Sequence, residues 1–251
     1  LSYESDLDLV FVSTGENGAT EGAKPIDTQR FFTRLAQRVI HILSTNMMGG
    51  RLYEVDLRLR PNGDSGLVVT SAQALERYLK NDAWTWEHQA LVRARVVAGA
   101  PQLVTQVEAL RAEVLSTPRD DVSLADGVTA MRQKMRDHSP AVGDASRRVA
   151  LKYGRGGIVD IEFVVQYLVL KHAAHYPELG RWSDVVRILQ ALEACRILSS
   201  SDANSLKEAY LGLRSSVHRA AVSNASDGDS VETDELMKQA SAVCTRLLPN
   251  L

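Results

Sequence analysis

Two short runs near the start of the chain alternate apolar and polar residues, which is the period of a β-strand with one buried face. The first run, 5–12, places Asp6 and Asp8 on one face, because side chains two positions apart in a strand point the same way. The second run, 52–61, carries four charged residues on its outward face: Glu54, Asp56, Arg58 and Arg60. If the two strands are neighbours, the carboxylates of Asp6, Asp8 and Asp56 converge beside two guanidiniums.

Convergent carboxylates of this kind suit a metal-dependent reaction. Hard divalent ions such as magnesium prefer oxygen ligands, and a pair of them stabilises the attacking and leaving oxygens of an in-line displacement. The alternative is a solvated surface, since exposed Asp-x-Asp pairs on amphipathic strands are common. The second run favours a site, because its outward charges are costly unless a ligand or metal organises them. We therefore expect nucleotidyl transfer here.

The residues between and after the two runs predict further strands and helices. A loop rich in Gly, Glu, Thr and Asn, 13–27, precedes a helix whose apolar residues recur over 31–43. A dense turn signal at 62–66 precedes a short strand, 67–70, so the second and third strands are expected to form a hairpin. Ser71 is expected to cap the helix that follows.

From Leu75 onward the pattern is helical and strand signals disappear. Eight helices are predicted, at 75–80, 84–97, 103–115, 122–136, 158–170, 185–197, 206–222 and 236–248. A stretch bearing Gly, Asp and Ser, 139–146, is expected to be a linker, and 224–232 a polar loop. The predicted fold class is α+β, with a catalytic domain over 1–117 followed by an all-helical domain over 118–251.

Composition narrows the range of partners. The 251 residues carry a formal net charge of −2, so there is no overall basic field, and a protein that tracks a nucleic-acid backbone is disfavoured. Two distant cysteines, Cys195 and Cys244, lack metal-ligand spacing, which indicates a reduced, cytoplasmic setting without structural zinc. The sequence contains no signal-peptide or membrane-span pattern. We expect a protein or small-molecule partner, no nucleic acid and no membrane.

A helix dense in polar residues, 84–95, has two interpretations. Helical spacing places Trp86, Ala90 and Arg93 on one face. In the first interpretation the tryptophans pack and the charges are solvated. In the second the helix edges a nucleotide pocket, where Trp86 stacks on a base and Arg93 contacts a phosphate. The residues alone leave both open.

A glycine-rich turn, 154–157, leads into a helix and offers another possible phosphate contact. Glycines let the backbone approach an anion, a helix N-terminus has free N–H groups, and Lys152 or Arg155 could neutralise the charge. A flexible turn between domains is the alternative. Asp160 and Glu162 fit either account, as acids that complement the helix dipole or as groups that reach a metal or hydroxyl.

Histidine chemistry and covalent catalysis are not indicated. The six histidines form no H-x-x-x-H or H-E-x-x-H pair, and the spacing of His172 and His175 is that of a helix surface. No G-x-S-x-G motif occurs, and neither cysteine has a plausible catalytic base nearby in sequence. We expect direct in-line attack on phosphorus.

Five segments together resemble bacterial glutamine synthetase adenylyltransferase across nearly the whole chain: 5–11, 53–61, 83–95, 154–163 and 181–184. The Ala-Trp-Thr-Trp-Glu-His-Gln and Gly-Gly-Ile-Val-Asp-Ile-Glu-Phe runs are similar to the C-terminal, adenylylating half of that bifunctional adenylylating and deadenylylating enzyme. The resemblance implies a DNA polymerase β-like nucleotidyltransferase core followed by a helical domain.

The resemblance also implies a reaction, in which ATP and magnesium are used to place AMP on a tyrosine hydroxyl of glutamine synthetase. Asp6, Asp8 and Asp56 match the family's metal ligands. Control by the PII signalling protein and glutamine is implied for the full-length enzyme. The family's glycine pair ahead of the Asp-x-Asp strand is absent because the chain opens at Leu1 without a methionine, so we expect a fragment of a longer protein.

The pattern of carboxylates and the family resemblance both favour one mechanism, direct in-line attack by a tyrosine hydroxyl. A tyrosine hydroxyl, with a pKa of about 10, is a poor nucleophile until a carboxylate or metal takes its proton, and Asp56 is the candidate base. Arg58 or Arg60 would steady the charge that builds on pyrophosphate. The predicted nucleotide-binding residues are Ser5, Arg58, Arg60, Trp86, Arg93, Lys152 and Arg155. Two alternatives stay open: phosphorolytic removal of AMP from the same substrate, and a regulatory or docking module with little turnover.

Overall fold

The structure, a computed structural model, describes the chain in three stretches: 5–138, 147–223 and 230–251. Two predictions therefore fall wholly or partly outside the described residues. They are the linker at 139–146 and the first part of the polar loop at 224–232.

The chain forms two compact units that differ in their makeup. The first consists of Leu1–Trp84 and Val96–Leu110, and the second of Thr85–Arg95 and Arg111–Leu251. The helix that carries Trp86 therefore packs within the second unit, although it lies early in the sequence. The functional division at 117/118 stays a prediction.

Four short strands give the first unit its sheet structure: β1 (Leu7–Asp8), β2 (Phe11–Ser13), β3 (Val55–Asp56) and β4 (Val69–Ser71). β1 pairs with β3 and β2 pairs with β4, both in parallel. The two alternating runs are thus neighbours, as the sequence analysis required, although each is shorter than predicted. Together with the helices that make up most of the chain, these strands confirm the α+β class.

The predicted hairpin between the second and third strands is wrong, because β3 and β4 each pair with a strand from the start of the chain. The physical reason is Arg60, which is buried instead of pointing outward from a strand. Its guanidinium donates to the carbonyl oxygens of Leu57, Asp64 and Gly66 at 2.8, 3.2 and 3.3 Å. These bonds fold 57–66 into a compact turn in place of a hairpin loop.

Two helices of the first unit begin at side-chain caps. α1 (Thr28–Ser44) begins at Asp27, whose carboxylate accepts from a first-turn amide at 3.0 Å. α2 (Ala72–Asn81) begins at Ser71, whose hydroxyl accepts from the Ala74 amide at 3.1 Å, which confirms the predicted cap. Each cap satisfies an N–H group that has no partner inside its helix.

The second unit is built from helices, and most of them were predicted. The helix Pro101–Leu115 begins in the first unit and ends in the second. One short helix before the turn at 154–157, Arg147–Tyr153, was not predicted. In chain order the remaining helices are α3 (Thr85–Arg93), α4 (Pro101–Leu115), α5 (Asp121–Asp137), α6 (Arg147–Tyr153), α7 (Ile158–His172), α8 (Val185–Ala194), α9 (Ser200–Ser223) and α10 (Ser230–Leu247).

The core of the second unit is organised around α7. This helix is apolar on nearly every side, and Ile161, Val164 and Val169 are fully buried. Such a helix requires neighbours on all faces, and α3, α5, α8, α9 and α10 supply them. Among the described residues, no helix combines the length and apolar character needed to cross a membrane.

Candidate functional site

The pairing of β1 with β3 brings predicted carboxylates together in the first unit. Asp8 lies directly opposite Asp56 in the register of the two strands. The Leu9 amide donates to the Asp56 carbonyl oxygen at 2.9 Å, which holds this register. Asp6 and Asp8 are exposed whereas Leu7 and Leu9 are half-buried, so the predicted alternation of the first run is confirmed.

Arg58 binds the Asp56 carboxylate closely. The Arg58 amide donates to one carboxylate oxygen at 2.8 Å, and Nε donates to both oxygens at 3.0 and 2.8 Å. Nη2 completes an ion pair with the second oxygen. These side-chain hydrogen bonds favour the ionised form and lower the pKa of Asp56. The Arg58 side chain is 74% exposed, so it can turn away without loss of packing.

The pKa of Asp8 is shifted in the opposite direction from that of Asp56. The Asp8 side chain reaches the surface, but neighbouring atoms displace part of the water around its carboxylate, and this partial desolvation raises its pKa. The charges of Asp56 and Asp6 raise the pKa further, while Arg58 opposes them. Crowded carboxylates of this kind repel one another, and a divalent cation relieves that repulsion, so the donor chemistry fits magnesium. As placed, no three His, Cys, Asp or Glu side chains in the described part of the chain are grouped to hold an ion. The carboxylates therefore do not form a ready-made metal site in this arrangement.

Two further predicted residues belong to the first unit. Ser5 directly precedes Asp6 and is half-buried. Arg60 is 8% exposed, and its guanidinium is directed at backbone carbonyl oxygens. Of the two arginines predicted to meet pyrophosphate, Arg58 is the one whose side chain is open to solvent.

The predicted residues of α3 lie in the second unit. Trp86 is half-buried. Arg93 forms an ion pair with Glu162 of α7, and the Tyr210 hydroxyl donates to the same carboxylate oxygen at 3.2 Å. Gln89 donates to a buried glutamine of α7 at 3.1 Å. The polar side chains of α3 are thus engaged by neighbouring helices, which favours the packing interpretation of this helix, and its contact with a nucleotide stays a prediction.

Lys152 and Arg155 also lie in the second unit, and both are exposed. Lys152 is part of α6, and its ammonium lies 5.0 Å from the centre of the Tyr153 ring. Arg155 lies in the glycine turn that follows. The six predicted residues at 5–60 and the four at 86–155 therefore belong to different compact units.

Asp160 is held inside the second unit and is not offered to a metal. Its carboxylate accepts from Arg132 Nε at 2.6 Å, from Arg136 Nη2 at 3.0 Å and from the Gly156 amide at 2.8 Å. Burial lowers the pKa of Arg132, although Asp160 opposes the shift. Sequence reasoning missed both arginines, because 28 and 24 residues separate them from Asp160 and no local pattern links the positions.

Comparison with known proteins agrees with the resemblance seen in the sequence. Residues 1–110 match the family model described as glutamate-ammonia ligase adenylyltransferase. Residues 129–246 match the model described as GlnD PII-uridylyltransferase. The bifunctional glutamine synthetase adenylyltransferase/adenylyl-removing enzyme of Pseudomonas putida is 50% identical over 233 residues, which is 88% of this chain. The chain spans 24% of the length of that relative.

Proposed function

This chain belongs, through residues 1–110, to the glutamate-ammonia ligase adenylyltransferase family, and on that premise we propose that it transfers AMP from ATP to a tyrosine hydroxyl of glutamine synthetase. Pyrophosphate is the leaving group. The observation that carries the proposal is the parallel pairing of β1 with β3, which sets Asp8 opposite Asp56. Carboxylates on adjacent strands can hold the metal ions that stabilise the attacking and leaving oxygens of an in-line transfer at phosphorus.

The proposal assigns the chemistry to a DNA polymerase β-like nucleotidyltransferase core over 1–117, with a helical domain over 118–251. The short parallel strands and α1 support a core of mixed structure in the first unit. ATP is the nucleotide that the family implies, and the cytoplasm is the compartment in which we expect the reaction.

Arg58 acts in this proposal as an exchangeable partner of Asp56. While the guanidinium binds the carboxylate, the pKa of Asp56 is lowered and the carboxylate is a weak base. The triphosphate of ATP offers Arg58 a more highly charged partner, and the side chain is exposed enough to move to it. One oxygen of Asp56 would then be free to accept the tyrosine proton while the other faces the metal, and Arg58 would steady the charge that builds on pyrophosphate.

Asp6, Asp8 and Asp56 are the residues that would hold magnesium once Arg58 has turned away. When bound there, magnesium supplies positive charge that orients the phosphate oxygens. The raised pKa of Asp8 supports this assignment, because it reflects partial desolvation together with the neighbouring charges of Asp56 and Asp6. Ser5 would border the same site through its place next to Asp6. Contacts of ATP with Arg60, Trp86, Arg93, Lys152 and Arg155 stay predictions.

The experiment that tests the proposal follows the two ends of the triphosphate separately. The chain is incubated with magnesium, unmodified glutamine synthetase and ATP labelled at the α-phosphate or, in a parallel reaction, at the γ-phosphate. We expect the α-label to become covalently attached to the synthetase and the γ-label to appear in pyrophosphate. Attachment of the γ-label would mean phosphoryl transfer and would reject the proposal. ATP binding without transfer of either label would indicate the docking module.

A second candidate is removal of AMP by phosphorolysis, which is favoured by the adenylyl-removing activity in the name of the Pseudomonas putida relative. Adenylylated glutamine synthetase would be incubated with the chain and inorganic phosphate. Release of ADP would support removal, whereas its absence alongside AMP transfer in the forward assay would leave the adenylylating reaction alone.

The helical domain over 118–251 is proposed to bind the regulators of the enzyme. The match of residues 129–246 to a PII-uridylyltransferase model supports an interaction with the PII protein. Glutamine is the small-molecule signal that the family implies. The PII protein and glutamine would both act on a longer enzyme. This chain spans about one quarter of the length of the Pseudomonas putida relative.

A further inference from the structure

A shallow groove of ≈ 740 Å³, open to solvent, lies on the surface of the second unit between the glycine turn at 154–157 and the exposed face of α10. The opposite face of α10 is buried, with Ala240, Val243 and Cys244 in the core. The helix is therefore fixed in place, and the groove wall with it. The polar residues that line the groove are Arg155, Asp234, Lys238, Ser241, Thr245 and Arg246.

The glycine turn is pressed against α10 in a way that only glycine allows. Gly156 has φ +70°, and a Cβ at this position would collide with the Met237 carbonyl oxygen and lie 2.8 Å from the Ser241 nitrogen. The Gly156 amide is also bound by the buried Asp160 at 2.8 Å. These contacts anchor the backbone of Arg155, so its side chain is presented at the groove by the fold of the second unit.

The groove carries an excess of positive charge. At its two ends Asp234 pairs with Arg147 at 2.6 Å, and Arg246 pairs with Asp202. Within the described part of the chain, the side chains of Arg155 and Lys238 have no ion pair and no hydrogen bond. Two unpaired cations are thus concentrated in one groove of a chain whose formal net charge is −2. An anionic ligand is the complementary one.

The length of the groove indicates what kind of anion fits. From residue 234 to residue 246, α10 rises by about 18 Å, which matches five or six residues of extended chain at about 3.3 Å each. A single phosphate would fill only a small part of ≈ 740 Å³. The residues that line the described groove include no aromatic side chain on which a base could stack.

We propose that this groove binds an acidic peptide segment of a protein partner. Carboxylates of the segment would meet Arg155 and Lys238, and its backbone would bond to the hydroxyls of Ser241 and Thr245. The inference concerns a docking site within the second unit and does not depend on adenylyl transfer.

The test measures binding of a fluorescein-labelled deca-glutamate peptide to the whole chain by fluorescence anisotropy at low ionic strength. Labelled deca-lysine serves as the control for peptide charge. The variants are Arg155→Glu and Lys238→Glu, and far-UV circular dichroism checks that each is folded. Lys134→Glu, at an exposed lysine of α5 outside the groove, is the matched change of charge.

We expect deca-glutamate to bind and deca-lysine not to bind. Each groove variant should weaken the binding of deca-glutamate by about tenfold, because reversal turns an attraction into a repulsion, and Lys134→Glu should change it less than about twofold. Lack of binding, or an equal loss in all three variants, would overturn the proposal. Displacement of the peptide by inorganic pyrophosphate at lower concentration than by unlabelled peptide would make this a phosphate site and would also overturn it.

Discussion

Replacement of Asp160 by asparagine tests how much the buried charge cluster around Asp160 contributes to the stability of the second unit. Asp160 is 3% exposed and faces two arginines and the Gly156 amide. The substitution keeps the size of the side chain and one acceptor oxygen. It removes the negative charge that compensates Arg132, whose side chain is 0% exposed.

The expected loss in the free energy of unfolding depends on which arginine is left without a negative charge beside it. Breaking a buried ion pair by removal of one member costs about 3–5 kcal/mol, because the other charge stays in the interior. Arg136 adds little to this sum, since its side chain is 17% exposed and can reach water. Because domains are stable by about 5–15 kcal/mol, we expect Asp160→Asn to remove a large part of the free energy of unfolding of the second unit.

Urea unfolding followed by far-UV circular dichroism measures the change, since helices dominate the second unit. Asp126→Asn is the matched control, because Asp126 is an exposed aspartate of α5, and it should stay within about 0.5 kcal/mol of the parent chain. The double variant Arg132→Met/Asp160→Asn should lose less than the sum of the two single losses. A loss below about 1 kcal/mol for Asp160→Asn, or strict additivity in the double variant, would refute this reasoning.

Three further predictions concern other parts of the fold. Arg111→Met should lower the free energy of unfolding by about 3 kcal/mol in urea titrations, because its buried guanidinium donates to four carbonyl oxygens and all of these bonds would be lost; a change under about 1 kcal/mol would contradict this. Ser71→Ala should cost about 1 kcal/mol and speed hydrogen exchange at the Ala74 amide about fivefold, and unchanged exchange would argue against the cap. Burial raises the pKa of Tyr210, so its stabilising contribution is present below pH 10 and is lost as the pH rises further, because the unfolded tyrosine ionises first. In Tyr210→Phe the loss of stability at alkaline pH should be smaller, as measured by urea titrations at several pH values, and an unchanged pH dependence would count against this assignment.

The helices were largely predictable because their signals are local. The apolar spacing of α5 and α8 recurs every three to four residues, and Ser71 stands directly before the helix it caps. α6 was missed because seven residues are too few for that periodicity to be distinguished from a turn. The outward alternation of Asp6 and Asp8 is likewise a local property of extended chain, and the structure confirms it.

The remaining features depend on pairing between distant segments or on the directions of side chains, and a local sequence pattern specifies neither. Parallel pairing of β2 with β4 joins segments 58 residues apart, for which no turn residue gives a signal, whereas the turn residues at 62–66 predicted a hairpin. The deciding interaction was Arg60, a charged residue in an alternating run whose guanidinium turned inward to bind carbonyl oxygens. The same limit hid the partners of Asp160, and the engagement of Asp56 by Arg58 depends on side-chain geometry that alternation does not specify.

The most direct test of the central claim is kcat/KM for transfer of α-labelled AMP to glutamine synthetase by Asp6→Asn and Asp8→Asn. Glu76→Gln is the matched control, since Glu76 is an acid of the first unit whose side chain is 44% exposed and whose ion pair with Lys80 lies at the surface. The account predicts that both aspartate variants stay folded and lose at least about 10²-fold in kcat/KM, while the control transfers AMP like the parent chain. Transfer by Asp6→Asn and Asp8→Asn at the rate of the parent chain would contradict the assignment of these carboxylates to the reaction.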